Sequence, residues 1–384
     1  MTMRKPPEKG DSVLLMSVLL ILSLGVAMVY SASSVLGFER FRDPMHFLKP
    51  HLIHAVIGMA ALVFLSRMDY HRFREITPAL LLLTFCLLIA VFFFPAVKSS
   101  HRSIPIAGQR FQPSELMKLV VILYLAAIFA RGTKSRALQG RAVFVHYGVL
   151  LLIVGCVCGE PDLGTSALIF VIGVLMFYLS GLGWKRLAQM VVLLIPLAGL
   201  AMIRFGYQKE RLIHFIGSVF SDDALTYQIR QSFIGLANGG FGGVGFGEGK
   251  QKMFFLPQPF TDFMVSSLAE ELGFLGILIL FFLVTLFLWR AFRTALHAPD
   301  RYGYLLAAGI GSMVLLGILV NTAVVVHLLP TTGVPFPFLS YGGSSLTVQL
   351  AAVGILLSIS RQAERPNRRT PLGMAPERSA SWRM

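Results

Sequence analysis

Runs of about twenty apolar residues recur along this sequence, and that is the length an α-helix needs to cross the hydrocarbon of a bilayer. Ten such runs can be placed, at residues 12–33, 48–66, 77–97, 113–131, 143–159, 163–182, 187–204, 264–290, 302–328 and 341–361. In lipid every backbone N–H and C=O must find its partner within the protein, which leaves helices or a closed barrel. Runs this long and continuous suit helices and not the alternation of barrel strands. Composition agrees: 55% of the 384 residues are hydrophobic and 14% are charged, where a soluble domain carries about a quarter charged residues. The expected fold class is therefore an all-α integral membrane protein with ten transmembrane helices. Cys86, Cys156 and Cys158 all lie inside apolar runs, and the nine histidines show no HExxH or comparable spacing. No disulfide framework and no protein-built metal site is expected from them. No cleavable signal peptide is expected either, because Ser12 to Ser31 is long enough to span and no clear cleavage site follows.

The net charge of +15 raises the question of nucleic acid. Most of the basic residues lie at the ends of the apolar runs, where they act as topology determinants, so no nucleic-acid partner is expected. Lys and Arg concentrate in the two tails and in the even-numbered loops. The short odd-numbered loops hold only Arg40, Arg42, Lys49, Lys98, Arg102 and Arg110. The positive-inside rule then puts both termini in the cytoplasm and the odd loops outside. This divides the chain into a cytoplasmic tail (1–11), a ten-helix membrane domain (12–361) with a large fourth outer loop (205–263), and a basic cytoplasmic tail (362–384) expected to be disordered.

Polar residues near hydrocarbon are the natural candidates for function. Asp262 closes the long outer loop and opens the eighth apolar run, in the stretch Pro257-Gln258-Pro259-Phe260-Thr261-Asp262-Phe263. A carboxylate at that boundary loses part of its hydration and becomes a better proton acceptor; the local alternative is that it caps the helix that follows. Gln112-Pro113-Ser114-Glu115 reads as a helix start, and Lys118, three residues on, shares a face with Glu115 and can pair with it. Glu160-Pro161-Asp162 puts two acids in a very short outer turn. There Asp162 either caps the next helix or pairs across to Lys118. In the long loop, Arg211–Phe220 and Tyr227–Ala237 have helical apolar spacing. The glycine run from Asn238 to Lys250, with Lys252 beyond it, could cradle phosphate through its amides or serve as a flexible linker. From Asn321 to Ser345, Pro330, Gly333, Pro335, Pro337, Gly342 and Gly343 forbid regular helix. Backbone of that kind at membrane depth must be buried in protein or line a cavity, as in a re-entrant segment before the last helix. Glu270 and Glu271 follow Asp262 by about 12 Å of helix. Glu270 lies nearer its face, too far for a carboxylate dyad but placed for a supporting role.

These pieces, taken in order, resemble the SEDS family, the FtsW/RodA/SpoVE group of bacterial peptidoglycan polymerases. The resemblance runs from Val29-Tyr30-Ser31-Ala32-Ser33 to the tenth apolar run. It rests on Gln112-Pro113-Ser114-Glu115 with Lys118, Pro161-Asp162-Leu163-Gly164-Thr165, Tyr227-Gln228, Thr261-Asp262-Phe263, Ala269-Glu270-Glu271-Leu272-Gly273, and Pro330 through Ser344. The first-span signature and the basic tails look more like the division member of the family than the elongation member. The resemblance implies polymerisation of lipid II, an undecaprenyl-pyrophosphate disaccharide-peptide, on the outer face of the bacterial cytoplasmic (inner) membrane at the septum. It implies Asp262 as the catalytic residue, and as partners a class B penicillin-binding transpeptidase and other divisome membrane proteins.

The chemistry that the resemblance implies needs a base for the acceptor hydroxyl. The pyrophosphate leaves as a stable anion, so it calls for positive charge and not for a general acid. Candidates for that charge are Arg102, Lys118, Arg211, Lys250 and Lys252, with Glu115, Asp162 and Glu270 as the acidic part of the substrate site. No built-in cofactor is implied; a divalent cation, Mg²⁺ or Mn²⁺, could bridge the phosphates. The chain departs from the family where many members read Pro-Glu-x-His-Thr-Asp, since Gln258 and Phe260 stand in place of the acid and the imidazole. It departs again where Arg102-Ser103-Ile104 replaces Arg-Trp-Ile. Two other classes of function compete. A lipid II transporter would use Glu115, Lys118 and Asp162 as a path, although no convincing internal repeat is visible. A non-enzymatic scaffold would recruit the transpeptidase, whose SxxK and KTG motifs this chain lacks.

Overall fold

The computed structural model describes residues 10–94, 102–106, 109–130, 142–204, 206–220, 226–257 and 259–363. The described residues form twelve helices and one small hairpin: α1 (Ser12–Phe41), α2 (Leu48–Arg67), α3 (Arg72–Val91), β1 (Ile104–Ile106), β2 (Gln109–Phe111), α4 (Pro113–Phe129), α5 (Ala142–Gly159), α6 (Leu163–Leu179), α7 (Trp184–Arg204), α8 (Gly206–Phe220), α9 (Tyr227–Gly239), α10 (Met264–Leu296), α11 (Arg301–Val325) and α12 (Gly343–Ala363). Local chemistry starts several of them. Asp11, Asp162 and Asp300 each accept a backbone N–H of the first turn of α1, α6 and α11, and Pro113 opens α4. Side-chain acceptors at those positions satisfy amides that the helix itself leaves open.

Among the described residues seven helices are long and apolar enough to cross a membrane: α1, α2, α3, α5, α10, α11 and α12. Helix α6 is a shorter apolar helix, while α4 and α7 fall on the two remaining apolar runs. The all-α expectation needs one correction. Between α3 and α4 the chain forms an antiparallel hairpin in which Ile104 faces Phe111 and Pro105 faces Arg110, a register too short to leave a periodic signal in sequence. Helix α1 continues past the expected end at residue 33 to Phe41, where Arg42 terminates it in the left-handed region. The two tails lie outside the described residues except for Gly10, Asp11, Gln362 and Ala363.

Packing sorts the helices by depth. Helix α12 lies along α2, α1 along α10, α3 along α4, and α10 along both α9 and α11. Helices α11 and α12 are the most enclosed of the spanning helices. Between them residues 326–342 run without regular structure, as the prolines and glycines predict. The irregular stretch begins later than Asn321, however, because α11 holds its helix to Val325. Val334, Phe336, Phe338 and Leu339 of this segment are buried, which is the condition for non-helical backbone at such depth. The long loop is largely built of α8 and α9, both close to where their apolar spacing put them.

At the end of the bundle that carries the helix starts of α1 and α11, a clasp joins three segments. His71 bridges Asp69 (2.8 Å) and Asp300 (2.6 Å), and Gln362 donates to Asp69. Burial pulls the His71 imidazole down, but hydrogen bonds to Asp69 and Asp300 outweigh it, so its pKa stands above the ordinary histidine value. A raised value means that the stabilisation is present with the ring protonated and fades as pH rises through the folded-state pKa. The melting temperature in detergent should therefore fall as pH rises above the free imidazole value of about 6.5, and the substitution His71→Gln should flatten that fall.

Candidate active site

The turn that carries Asp262 leads directly into α10. The N-cap of α10 is Phe263, so Asp262 stands one residue before the cap position. Asp262 is half-buried. Its Oδ2 lies 3.9 Å from where a Cβ would stand on Gly333, so the carboxylate sits over the irregular segment before α12. Two further ties fix the turn to that segment. The Asn321 Nδ2 of α11 donates to the carbonyl of Asp262 at 2.9 Å and to that of Val334 at 2.8 Å. The Tyr341 amide donates to the carbonyl of Phe260 at 2.8 Å. Phe47, Phe260 and Tyr341 pack ring against ring beside it, with centroids 4.8 to 6.1 Å apart.

The same segment meets the start of α6. A Cβ on Gly164 would lie 2.6 Å from the carbonyl of Thr332, so only glycine allows this approach. Two residues before it, Asp162 accepts from the Thr165 amide (3.1 Å), the Thr165 hydroxyl (3.0 Å) and the Gln112 side chain (3.0 Å). Asp162 is thus both a cap and a tie to the start of α4, and Lys118 is not the partner that holds it. The Gln112 amide in turn donates to Ser344 Oγ, which donates to the carbonyl of Arg110. Hairpin, α4, α6 and α12 therefore converge at one end of the bundle. Glu160, between α5 and α6, is buried; burial first and Asp162 second push its carboxyl up to about 9, with Arg102 pulling the other way. A neutral acid at pH 7 explains how two carboxyl groups share so tight a turn. Arg102 and Lys250 are exposed, and Arg211 donates to the carbonyl of Thr331 at 3.0 Å.

Glu115 and Lys118 do pair, at 2.8 Å, and both are buried. They line a cavity of ≈ 10 Å³ together with Val334, Pro335 and Gln349, room for about one water. Glu115 offsets the charge of Lys118 there.

The glycine run is where the structure most changes the expectations. It is neither a linker nor a phosphate cradle, because the anions its amides hold are the two glutamates of α10. Glu270 accepts the amides of Lys250 (3.0 Å) and Gln251 (3.1 Å). Glu271 accepts the amide of Gly247 (2.9 Å), the hydroxyl of Ser31 (2.6 Å) and Lys252 Nζ (2.7 Å). Lys252 is buried in this pair and also donates to Ser31, so it is not presented to a substrate phosphate. Glu270 supports the loop. Two glycines in the left-handed region make the fit possible. A Cβ on Gly243 (φ +80) would fall 2.1 Å from the carbonyl of Glu271, and one on Gly273 (φ +66) would fall 2.2 Å from the amide of Gly243. Gly273 also breaks the helical geometry of α10.

Of the residues expected in a substrate site, the structure thus brings Asp262 to the irregular segment, places Asp162 at the start of the helix whose Gly164 meets that segment, and ties Arg211 to its Thr331 carbonyl. Arg102 stands beside Glu160 near the start of α6. Glu115 and Lys118 line the cavity, and Glu270 and Lys252 belong to the loop anchor. Asn321 and Gln112 were missed as bridging groups. A lone amide in an apolar helix is the signal that would have marked Asn321.

Residues 11–365 match the family described as "FTSW_RODA_SPOVE: Cell cycle protein". The chain is 38% identical to the "Probable peptidoglycan glycosyltransferase FtsW" of Geobacter metallireducens over 93% of this chain and 96% of that one. It is also 38% identical to "Stage V sporulation protein E" of Bacillus subtilis over 91% and 97%. Among solved structures it resembles a chain of a peptidoglycan synthase complex that coordinates polymerization and crosslinking, with TM-score 0.74 and 25% identity over 93% of this chain and 99% of that one. It also resembles the rod shape determining protein RodA of Thermus thermophilus, with TM-score 0.65 and 25% identity over 93% and 98%.

The loop anchor makes a prediction of its own. Breaking a buried pair by removing one partner leaves an uncompensated charge and costs about 3–5 kcal/mol. Lys252→Met should accordingly lower the melting temperature markedly, and adding Glu271→Gln should restore part of the loss; thermal melts of the three proteins in one detergent check it.

Proposed function

The chain belongs to the FtsW/RodA/SpoVE family of cell cycle proteins, and from that premise we propose that it is a multi-pass membrane peptidoglycan glycosyltransferase that polymerises lipid II with Asp262 as general base. The observation that carries this reading is the placement of the Asp262 carboxylate over Gly333, at the irregular segment where the start of α6 and the Arg211 side chain also arrive. In this reading the ten apolar runs all span, both tails are cytoplasmic, and the site faces outward. The acceptor sugar hydroxyl gives its proton to Asp262 as its oxygen attacks the anomeric carbon of the donor. The glycosidic bond forms as the bond to pyrophosphate breaks, and the leaving group departs as an anion that needs no protonation. Arg102, Arg211 and Lys250 are the cations available to offset its charge.

Among the described residues no group of three or more His, Cys, Asp or Glu side chains could hold a metal ion. A divalent cation such as Mg²⁺ or Mn²⁺ would offset the charge of the substrate's pyrophosphate. Cross-linking falls to a partner. One structural relative is part of an assembly that coordinates polymerization and crosslinking, which supports a penicillin-binding transpeptidase as the companion of this chain, with other divisome membrane proteins around it. Identity to relatives named FtsW supports a role at the septum of the inner membrane, while the likeness to a sporulation protein and to RodA keeps elongation as the second reading.

Purified full-length protein with a cognate transpeptidase, labelled lipid II and either Mg²⁺ or Mn²⁺ should yield glycan polymer. Asp262→Asn, which keeps the shape and removes the base, should lose at least about a hundredfold in rate, at the lower end of what a positioned base supplies. Equal polymer from both proteins would remove Asp262 from the mechanism. Transbilayer movement of lipid II without polymer would favour the transporter instead.

A further inference from the structure

A base is only as useful as its position, and the structure shows what holds this one. The carbonyl of Asp262 lies outside the hydrogen-bond ladder of α10, and the carbonyl of Val334 lies in backbone with no ladder at all. Both are satisfied by one group, the Nδ2 of Asn321, at 2.9 and 2.8 Å. Asn321 is 1% exposed and sits one turn from the end of α11. Few side chains could take its place. Two carbonyls converging on one buried nitrogen need two N–H donors without a charge, which among the side chains only the amides of Asn and Gln present. Serine offers one donor, while lysine and arginine would bring an unpaired charge into the core.

The two tied carbonyls belong to the two segments that meet at the carboxylate. One belongs to Asp262 itself. The other follows Gly333, the residue over which Asp262 Oδ2 rests at 3.9 Å from the built Cβ position. Asn321 therefore fixes the separation between the carboxylate and the wall it faces. We infer that Asn321 is a positioning residue for Asp262, setting where the carboxylate meets the acceptor hydroxyl; this rests on the polymerase reading above. Its contribution is to the reacting geometry and not to substrate affinity, because both N–H donors of its amide are used on backbone carbonyls and the side chain is buried.

Positioning errors of about 1 Å can cost on the order of a hundredfold in rate. Full-length Asn321→Ser and Asn321→Ala, compared with wild type in the lipid II polymerisation assay, should lose about tenfold and up to about a hundredfold in kcat respectively. KM for lipid II should stay within a factor of about two, the signature of a group that acts on the reacting geometry and not on ground-state binding. The decisive measurement is the cycle with Asp262→Asn. If Asn321 acts through Asp262, adding Asn321→Ala to Asp262→Asn leaves the residual rate unchanged, because the group being positioned is already gone. A merely structural role would lower both backgrounds by the same factor. Should Asn321→Ala fail to fold, Asn321→Ser, which keeps one donor, carries the same cycle. Turnover of either variant within twofold of wild type, or an additive loss in the double variant, overturns the inference. Absence of polymer from wild type, or full activity in Asp262→Asn, would instead overturn the reading on which it rests.

Discussion

The structure depends on one constraint: backbone that leaves the helical ladder at membrane depth must still have its polar groups satisfied by protein. Residues 326–342 leave the ladder, and the surrounding chain is arranged to clothe them. The enclosed helices α11 and α12 flank the segment, and its Phe336, Phe338 and Leu339 are sealed inside. Its carbonyls are met by side chains sent from elsewhere, Arg211 to Thr331 and Asn321 to Val334. A chain of regular helices alone would escape this burden, and it would also have nowhere to hold a carboxylate against a rigid non-helical wall.

The long outer loop solves a related problem with two carboxylates. Glycine-rich backbone exposes amides that want an anion, and α10 supplies Glu270 and Glu271 from within the protein. Lys252 and Ser31 complete the anchor and join the loop to α1. A buried pair of this kind contributes little net stability against an apolar replacement, but it is demanding about register. Here the register is that of the loop end that runs into Asp262. The anchor thus acts at one remove: it fixes the approach of the turn, while Asn321 and Gly333 fix its end.

The chemical division of labour follows. Asp162 and Gln112 brace the starts of α6 and α4, the aromatic group of Phe47, Phe260 and Tyr341 walls one side, and Arg102 and Lys250 are exposed. Phe260 packs against Phe47 and Tyr341, and its backbone carbonyl, which any residue would offer, makes the tie to Tyr341.

The sequence by itself determined the membrane class, the helix start at Pro113 and the break before α12. Each of these rests on local physics, the length and period of apolar runs, capping and the conformational limits of proline and glycine, and so each can be read within a few neighbouring residues. The hairpin at 104–111 escaped because three residues per strand carry no period. Only the tertiary structure decided which anion fills the glycine run, that Lys118 answers to Glu115 and not to Asp162, and that Lys252 is spent on Glu271. It alone brought residues 112, 162, 262, 321 and 333 together. A donor in the sequence does not say which carbonyl it will meet; that choice belongs to packing between helices far apart in the chain, where the shape of the assembled bundle leaves one partner within reach.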